Sequence, residues 1–391
     1  MRPPLAFVLI LLLLCLSTAH ASAESSDRLC QAQSVKAVVA ARPQGTPEPT
    51  TTSVRYRWSG YFIIKVQQPA WGWSDWPDCP SDREIIGASN TFGGTGGMSA
   101  DGNVVVCYLD RGNNTPLHAC TFSATQGLVD LGTLDPARAA SLGSFGFGAN
   151  ADGSVVVGAA DVEPGGNQHA FRWTSAEGML DLGSASGPAG GSRAFATSGD
   201  GSVVVGESDF PSGQRHPFMW TQSGGFQDLD PSGFGQARAI SGDGRVVVGQ
   251  NRSHAFRWTL DGGLSDLLGL PGRDSSTATG VSDNGMVVVG MAAPRPLSFR
   301  NSIGWDFGTS DTRAVRWTAS GGMQDLTQLL ADRGVDMTGL TLVAALGVSP
   351  DGQFITGAMT TAATPPDETI GFIAQICDDA VDACAAKPPA S

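Results

Sequence analysis

The sequence predicts an all-β protein: a β-propeller of about six four-stranded blades, with seven blades as the alternative. Three observations predict it. A Ser-x-Asp-Gly turn, a Val-Val-Val-Gly run, a His-Ala-Phe-Arg-Trp-Thr run and a Gly-Gly-x-x-Asp-Leu close recur in that order along the chain. The valine runs begin at Val104, Val155, Val203, Val246, Val287 and, degenerate, Phe354, at steps of 41 to 67 residues. That is the period of propellers, solenoids and arrays. Each unit also offers four short strand candidates separated by Gly/Asp turns, with no helical stripe.

The fourth copy shows the elements in order. Ala237–Ser241 leads into a turn at Gly242-Asp243-Gly244, and Asp-Gly between apolar runs signals a hairpin. Val246–Val248 is a short continuous apolar run, as expected of a strand buried on both faces. Residues 254–259 alternate, so His254, Phe256 and Trp258 fall on one face and Ala255 and Arg257 on the other. Leu264–Leu268 supplies the fourth strand. The last copy has three such strands, within 340–348, 353–357 and 370–375, and no closing Asp-Leu strand. A strand near Tyr61–Val66 is expected to fill that gap, joining the chain ends in one blade and covering a sheet edge. Seven blades follow instead if residues 58–89 hold another.

Outside the repeats, residues 1–23 read as a secretory signal peptide: Arg2, an apolar core from Leu5 to Leu16, and small residues at Ala19, Ala21 and Ala23. The apolar core is shorter than the roughly 20 residues of a membrane span, and no later segment reaches that length. Residues 24–53 form an N-terminal extension and Pro/Thr-rich linker. The propeller is assigned to residues 54–377, and residues 378–391 to a disulfide-pinned tail. Loss of Arg2 leaves 23 basic against 37 acidic residues, a net charge of about −14. An acidic, lysine-poor chain argues against nucleic acid and anionic membranes as partners. The expected address is secreted, periplasmic or extracellular and bacterial.

Six cysteines follow the signal peptide, and an even count in an exported chain points to disulfides. Cys107 replaces the Gly after the valines, and Cys120 replaces the Phe of the aromatic run. On neighbouring strands their sulfurs face each other across a hairpin. Cys377 and Cys384 would close a local loop, leaving Cys30 with Cys79. No Cys-x-x-Cys spacing supports a metal site.

The runs His169-Ala170-Phe171-Arg172-Trp173 and His254-Ala255-Phe256-Arg257-Trp258 resemble the signature of the bacterial extracellular HAF-repeat family. Gly321–Leu326, followed by Leu329-Leu330 and Leu340-Thr341, is similar to that family's last repeat. The resemblance covers about residues 90–375. It implies a secreted or surface protein, and the absence of an autotransporter or sorting segment favours a free product. It supplies no activity.

The repeat residues have structural readings. His118, His169, His216 and His254 share one position, and a metal-binding ring of imidazoles is one reading. Equivalent positions in successive blades lie too far apart for one ion, so the favoured reading is a hydrogen bond within each blade, from His to a turn Asp or Ser. Trp173, Trp220, Trp258 and Trp317 would stand on the same face. Asp152, Asp200 and Asp243, like Asp101 and Asp351, precede Gly and read as turn residues rather than calcium ligands. No metal or cofactor is expected.

Candidate ligand-binding residues lie where the repeat breaks. Trp71, Trp73 and Trp76 form an aromatic stretch suited to stacking on sugars. The fifth copy's insertion, residues 291–312, carries Arg300, Trp305, Asp306 and Phe307, and long loops in a compact domain tend to be functional. Catalytic motifs are absent. Asp161, Glu163, Glu207, Asp209 and Asp306 remain as carboxylates from which a glycosidase pair would be drawn. The expected function is a binding or scaffold module for a glycan or cell-envelope component, with an extracellular carbohydrate-active hydrolase or lyase as the alternative.

Overall fold

In the computed structural model, which describes residues 92–109, 116–123, 125–164, 166–294, 311–361 and 370–376, the valine runs become the second strands of six antiparallel sheets. The first sheet pairs β1 (Phe92–Met98), β2 (Val104–Leu109), β3 (His118–Ser123) and β4 (Gly127–Gly132) in that order. The second holds β5 (Ser144–Ala149), β6 (Val155–Asp161), β7 (Gln168–Thr174) and β8 (Gly178–Gly183). The third holds β9 (Ser192–Thr197), β10 (Val203–Asp209), β11 (Arg215–Thr221) and β12 (Gly225–Asp228). The fourth holds β13 (Gly235–Ile240), β14 (Val246–Asn251), β15 (His254–Thr259) and β16 (Gly263–Leu268). The fifth holds β17 (Ser275–Val281), β18 (Val288–Ala293), β19 (Arg313–Thr318) and β20 (Gly322–Asp325). The sixth has β21 (Leu340–Val348), β22 (Phe354–Thr361) and β23 (Ile370–Gln375). The described residues form six blades of a β-propeller, the last of three strands. The strand expected near Tyr61–Val66 lies outside them, as does the possible blade at 58–89.

Each first strand packs on the first strand of the next blade, from β1 against β5 through to β17 against β21. The apolar core is accordingly divided into clusters between neighbouring sheets. Val156 faces the first blade with Val106 and Phe171, while Val155 and Val157 face the third with Val204 and Phe218. A strand sandwiched this way needs apolar residues at successive positions, which is why the valines are not interrupted. Among the described residues no such cluster joins the sixth sheet to the first.

The turn motif is built the same way throughout. Ser198 Oγ donates to Asp200 (2.6 Å) and accepts from Val203 N–H (3.0 Å), while Asp200 also accepts from Ser202 N–H (3.0 Å). Ser99–Asp101, Ser241–Asp243, Ser282–Asn284 and Ser349–Asp351 repeat this, and Asn150 stands in for Ser in the second blade. The Gly that follows has a double duty. Gly201 is left-handed (φ 73°), and a Cβ on it would lie 2.5 Å from Val155 of the preceding blade. The turn therefore seats the neighbour's first valine, and Gly285 receives Val246 likewise. Motif arginines reach the same turns: Arg172 Nε donates to Gly201 O (3.1 Å) and Arg257 to Gly285 O (3.4 Å).

A serine hydroxyl completes the joint. Ser144, Ser192 and Ser276 accept the backbone N–H of Ala119, Ala170 and Ala255 at 2.8, 2.8 and 2.9 Å, and donate to Gly132, Gly183 and Leu268 O. Pro217 takes the alanine's place in the third blade and has no N–H to give. Opposite it the next blade carries Gly235, which has no hydroxyl.

Within four of the blades, the Gly of the valine run faces the Phe of the aromatic run, and in the fifth Gly290 faces Val315. Gly158 pairs with Phe171, Gly206 with Phe218, Gly249 with Phe256 and Gly357 with Phe372. A Cβ at Gly158 would meet the Phe171 ring at 2.7 Å. In the first blade the register pairs Cys107 with Cys120, and they are joined by a disulfide across Cα atoms 4.8 Å apart. Two sulfurs fill the space that one phenyl ring takes elsewhere. The remaining cysteines, Cys30, Cys79, Cys377 and Cys384, lie outside the described residues.

The fifth blade departs from the all-strand expectation. Its closing Asp325 caps a helix, α1 (Leu326–Asp332), by accepting from Thr327 N–H (2.8 Å) and Gln328 N–H (3.4 Å). Leu326 and Leu330 then pack against Leu342, Ile355 and Phe372 of the last sheet. The 3.6-residue spacing of Leu326, Leu329 and Leu330 is the helical signal, too short to stand out in the sequence.

Two outcomes test this construction. The double variant Cys107→Gly/Cys120→Phe restores the pair used elsewhere. It is expected to be less destabilised in urea than Cys107→Ser/Cys120→Ser. Separately, the carboxyls of Asp152 and Asp200 are held below 3.8, chiefly by the hydroxyls of Ser154 and Ser198 respectively. Depressed folded-state values stabilise the protein above the ordinary carboxylate range, and that contribution is lost as pH falls through them. The melting temperature should therefore drop on acidification below about pH 4, and less steeply in Asp152→Asn/Asp200→Asn.

Candidate functional site

Antiparallel order sorts the connections onto two faces. The turns after first and third strands lie at one end and hardly vary: residues 150–154, 198–202 and 241–245 for the first kind, 175–177, 222–224 and 260–262 for the second. Connections after second and fourth strands lie at the other end and differ widely. Between second and third strands, the fourth blade has only Arg252 and Ser253, whereas the fifth has residues 294–312. Variation on a fixed frame marks this loop face as the functional one.

The four repeat histidines stand at this face, and their partner differs from the expected turn Asp or Ser. Nδ1 meets the Asp of the closing strand: His118–Asp130 and His169–Asp181 at 3.0 Å, His216–Asp228 and His254–Asp266 at 2.7 Å. The turn Asp is already engaged by its Ser, whereas the closing Asp lies on the adjacent strand. The separation is always 12 residues, and where the fifth copy replaces His, Arg313 still reaches Asp325 at 3.8 Å. Each closing Asp also accepts the N–H two residues on, at Gly132, Gly183, Asp230, Leu268 or Thr327.

One pair is not like the others. The imidazoles of His118, His169 and His216 are 2, 6 and 3% exposed; that of His254 is 34% exposed. His118 Nε2 meets Ala139 O at 3.1 Å, and His216 meets Ser212 Oγ at 3.3 Å beneath the stacked ring of Phe210. The two-residue connection of the fourth blade is too short to cover His254. His254 lines a cleft of about 490 Å³ with Asp230, Ser232, Asn251, Arg252, Asp266, Asp274 and Pro294.

Of the two non-glycine residues with positive φ among the described residues, Arg252 (44°) lines the cleft and Leu268 (59°) follows two residues after the lining residue Asp266. Such backbone is strained for residues with a side chain and concentrates at functional sites. Arg252 N–H donates to Phe234 O (2.6 Å) and its guanidinium to Ser232 O. Asp230 is buried and accepts from Ser232 N–H and Oγ at 3.2 and 2.7 Å. Phe234 and Leu268, on either side, are 53 and 59% exposed.

The other candidates are placed as follows. Trp173, Trp220, Trp258 and Trp317 pack between neighbouring blades. Glu207 is buried between Arg193 (3.5 Å) and Arg215 (3.0 Å), and Asp209 pairs with Arg215 at 3.0 Å. Burial alone would raise the Asp209 carboxyl, but Gly191 N–H and Arg215 together hold it below its ordinary value. Asp161 accepts from Gly143 N–H and Gln168. These carboxylates pair within the second and third blades and do not line the cleft. Trp71, Trp73, Trp76, Arg300, Trp305, Asp306 and Phe307 lie outside the described residues. Of the fifth copy's insertion, Pro294 lines the cleft, and Asp311 O accepts from Arg273 Nε at 2.9 Å. Among the described residues no group of three or more His, Cys, Asp or Glu side chains is placed to hold a metal ion, and no helix is long and apolar enough to cross a membrane.

No family model and no curated protein matches the chain. Solved structures similar to it include TolB from Acinetobacter baumannii (15% identity, 58% of this chain and 52% of that one, TM-score 0.39). Others are a putative TolB from Agrobacterium tumefaciens (14%, 72% and 89%, 0.42) and the β-propeller domain of the Trilobed protease from Pyrococcus furiosus (8%, 71% and 80%, 0.45). The chain thus spans about half the length of the first of these.

The contrast among the histidines gives a direct measurement. His169→Ala leaves Asp181 without its buried partner and should cost about 2 kcal/mol or more in urea unfolding. His254→Ala, at a half-open pair, should cost clearly less. Leu268→Gly relieves left-handed backbone and should stabilise by up to about 1 kcal/mol.

Proposed function

We propose that this protein is a secreted HAF-type repeat propeller that binds a glycan or another cell-envelope component at the cleft between its fourth and fifth blades. The observation that carries the reading is the opening of His254 into a lined cleft, at the position where the equivalent imidazoles are covered. Binding fits the chemistry better than turnover. Asp266 is engaged by His254 and Asp230 by Ser232, which leaves a surface of fixed polar groups. Secretion is supported by the signal-like residues 1–23 and by the Cys107–Cys120 disulfide, since such bonds persist in oxidising compartments.

The test is retention of the mature protein on immobilised glycans and on envelope extract. Arg252→Gly/Asp274→Asn removes two polar groups of the cleft, and the Gly suits the left-handed position. It is expected to bind at least about tenfold more weakly, a change of about 1.4 kcal/mol, with its melting temperature preserved. Replacing residues 295–310 with a short Gly-containing turn should also alter retention, because Pro294 lines the cleft and Asp311 is tied beside it. Retention unchanged in both variants removes the cleft from the reading.

A further inference from the structure

We infer that the cleft selects a neutral, hydroxyl-rich glycan over an acidic one, with His254 Nε2 and Asp274 accepting hydrogen bonds from its hydroxyls. This rests on the glycan-binding reading and adds the ligand's chemical class.

The argument begins with the tautomer. Asp266 lies 2.7 Å from His254 Nδ1 and, as a carboxylate, can only accept, so it fixes the N–H at Nδ1. In the neutral ring the lone pair then belongs to Nε2. Among the described residues His254 Nε2 has no hydrogen-bond partner, unlike Nε2 of His118 and His216, and its ring lines the cleft. Asp274, exposed on the opposite connection, makes no hydrogen bond or ion pair among the described residues. These two open groups are acceptors. Arg252 gives one guanidinium N–H to Ser232 O and is the one arginine or lysine of the cleft lining among the described residues, set against three aspartates.

An acceptor-rich surface calls for a ligand that brings donors. Asp230, Asp266 and Asp274 around the cleft, on a chain of net charge −13, disfavour a carboxylate-bearing sugar by like-charge repulsion. Phe234 and Leu268 add exposed apolar surface beside these acceptors. A sugar ring presents the complementary combination, hydroxyls at its edge and C–H groups on its face.

The experiment compares immobilised dextran and mannan with alginate, a polyuronate, by affinity electrophoresis of the mature protein. An Asn side-chain amide can keep the bond to Asp266 while lacking any counterpart of Nε2, so His254→Asn removes only the open acceptor. His216→Asn makes the same change at a covered pair. Expected are retention on dextran or mannan and none on alginate, about tenfold weaker binding for His254→Asn and for Asp274→Asn, and unchanged binding for folded His216→Asn. Equal or stronger retention on alginate overturns the inference, as does wild-type affinity in His254→Asn; both leave glycan binding standing. Retention on no polysaccharide, with envelope extract still captured at the cleft, overturns the inference and the glycan reading while sparing the cleft as a binding site.

Discussion

The serine hydroxyl at the head of an innermost strand sets the spacing on which the rest of the propeller depends. Ser192 takes the Ala170 N–H and gives its own proton to Gly183 O, so one small group joins three strands from two blades. Sheets held this closely leave no room for a side chain at the turns, which is why Gly201 must receive Val155. The same approach lets Arg172 reach the Gly201 carbonyl. The motif that looks like a string of chemical groups is therefore a set of joints between neighbours. Where the serine is missing, its partner changes too: Pro217 offers no N–H to Gly235.

Much of this was legible in the sequence because it is periodic. The valine runs, the Asp-Gly turns and the alternating aromatic strands each repeat, and each appears where strand geometry puts it. What escaped was information carried by pairs of positions rather than by runs. The constant 12-residue separation of His from the closing Asp was present in every full copy, yet the nearer turn Asp drew attention because it shared the motif with Ser. The reciprocal change at Pro217 and Gly235 is visible only once the strands are known to meet. Helix α1 is a single short amphipathic turn whose formation depends on the cap at Asp325 and on the last sheet it covers.

The cleft was illegible for another reason: it arises from what the fourth blade lacks. A two-residue connection cannot cover an imidazole as Phe210 and Ser212 do in the blade before it. No residue type announces such a site. Pro294, at the start of the fifth copy's insertion, lines the cleft. Left-handed Arg252 and Leu268 add a local tension, because this is also where the backbone departs from what its residues prefer.

The Cys107–Cys120 pair has a consequence that reaches beyond its own blade. Arrays stabilised by nearest-neighbour contacts lose structure from their ends, where a unit has one neighbour rather than two. Among the described residues the first sheet packs on the second through β1, β2 and β3 against β5. A covalent tie between its two middle strands prevents them from separating even when the sheet detaches from its neighbour. Strand-by-strand loss within that sheet is thereby limited to β1 and β4, while β2 and β3 stay joined.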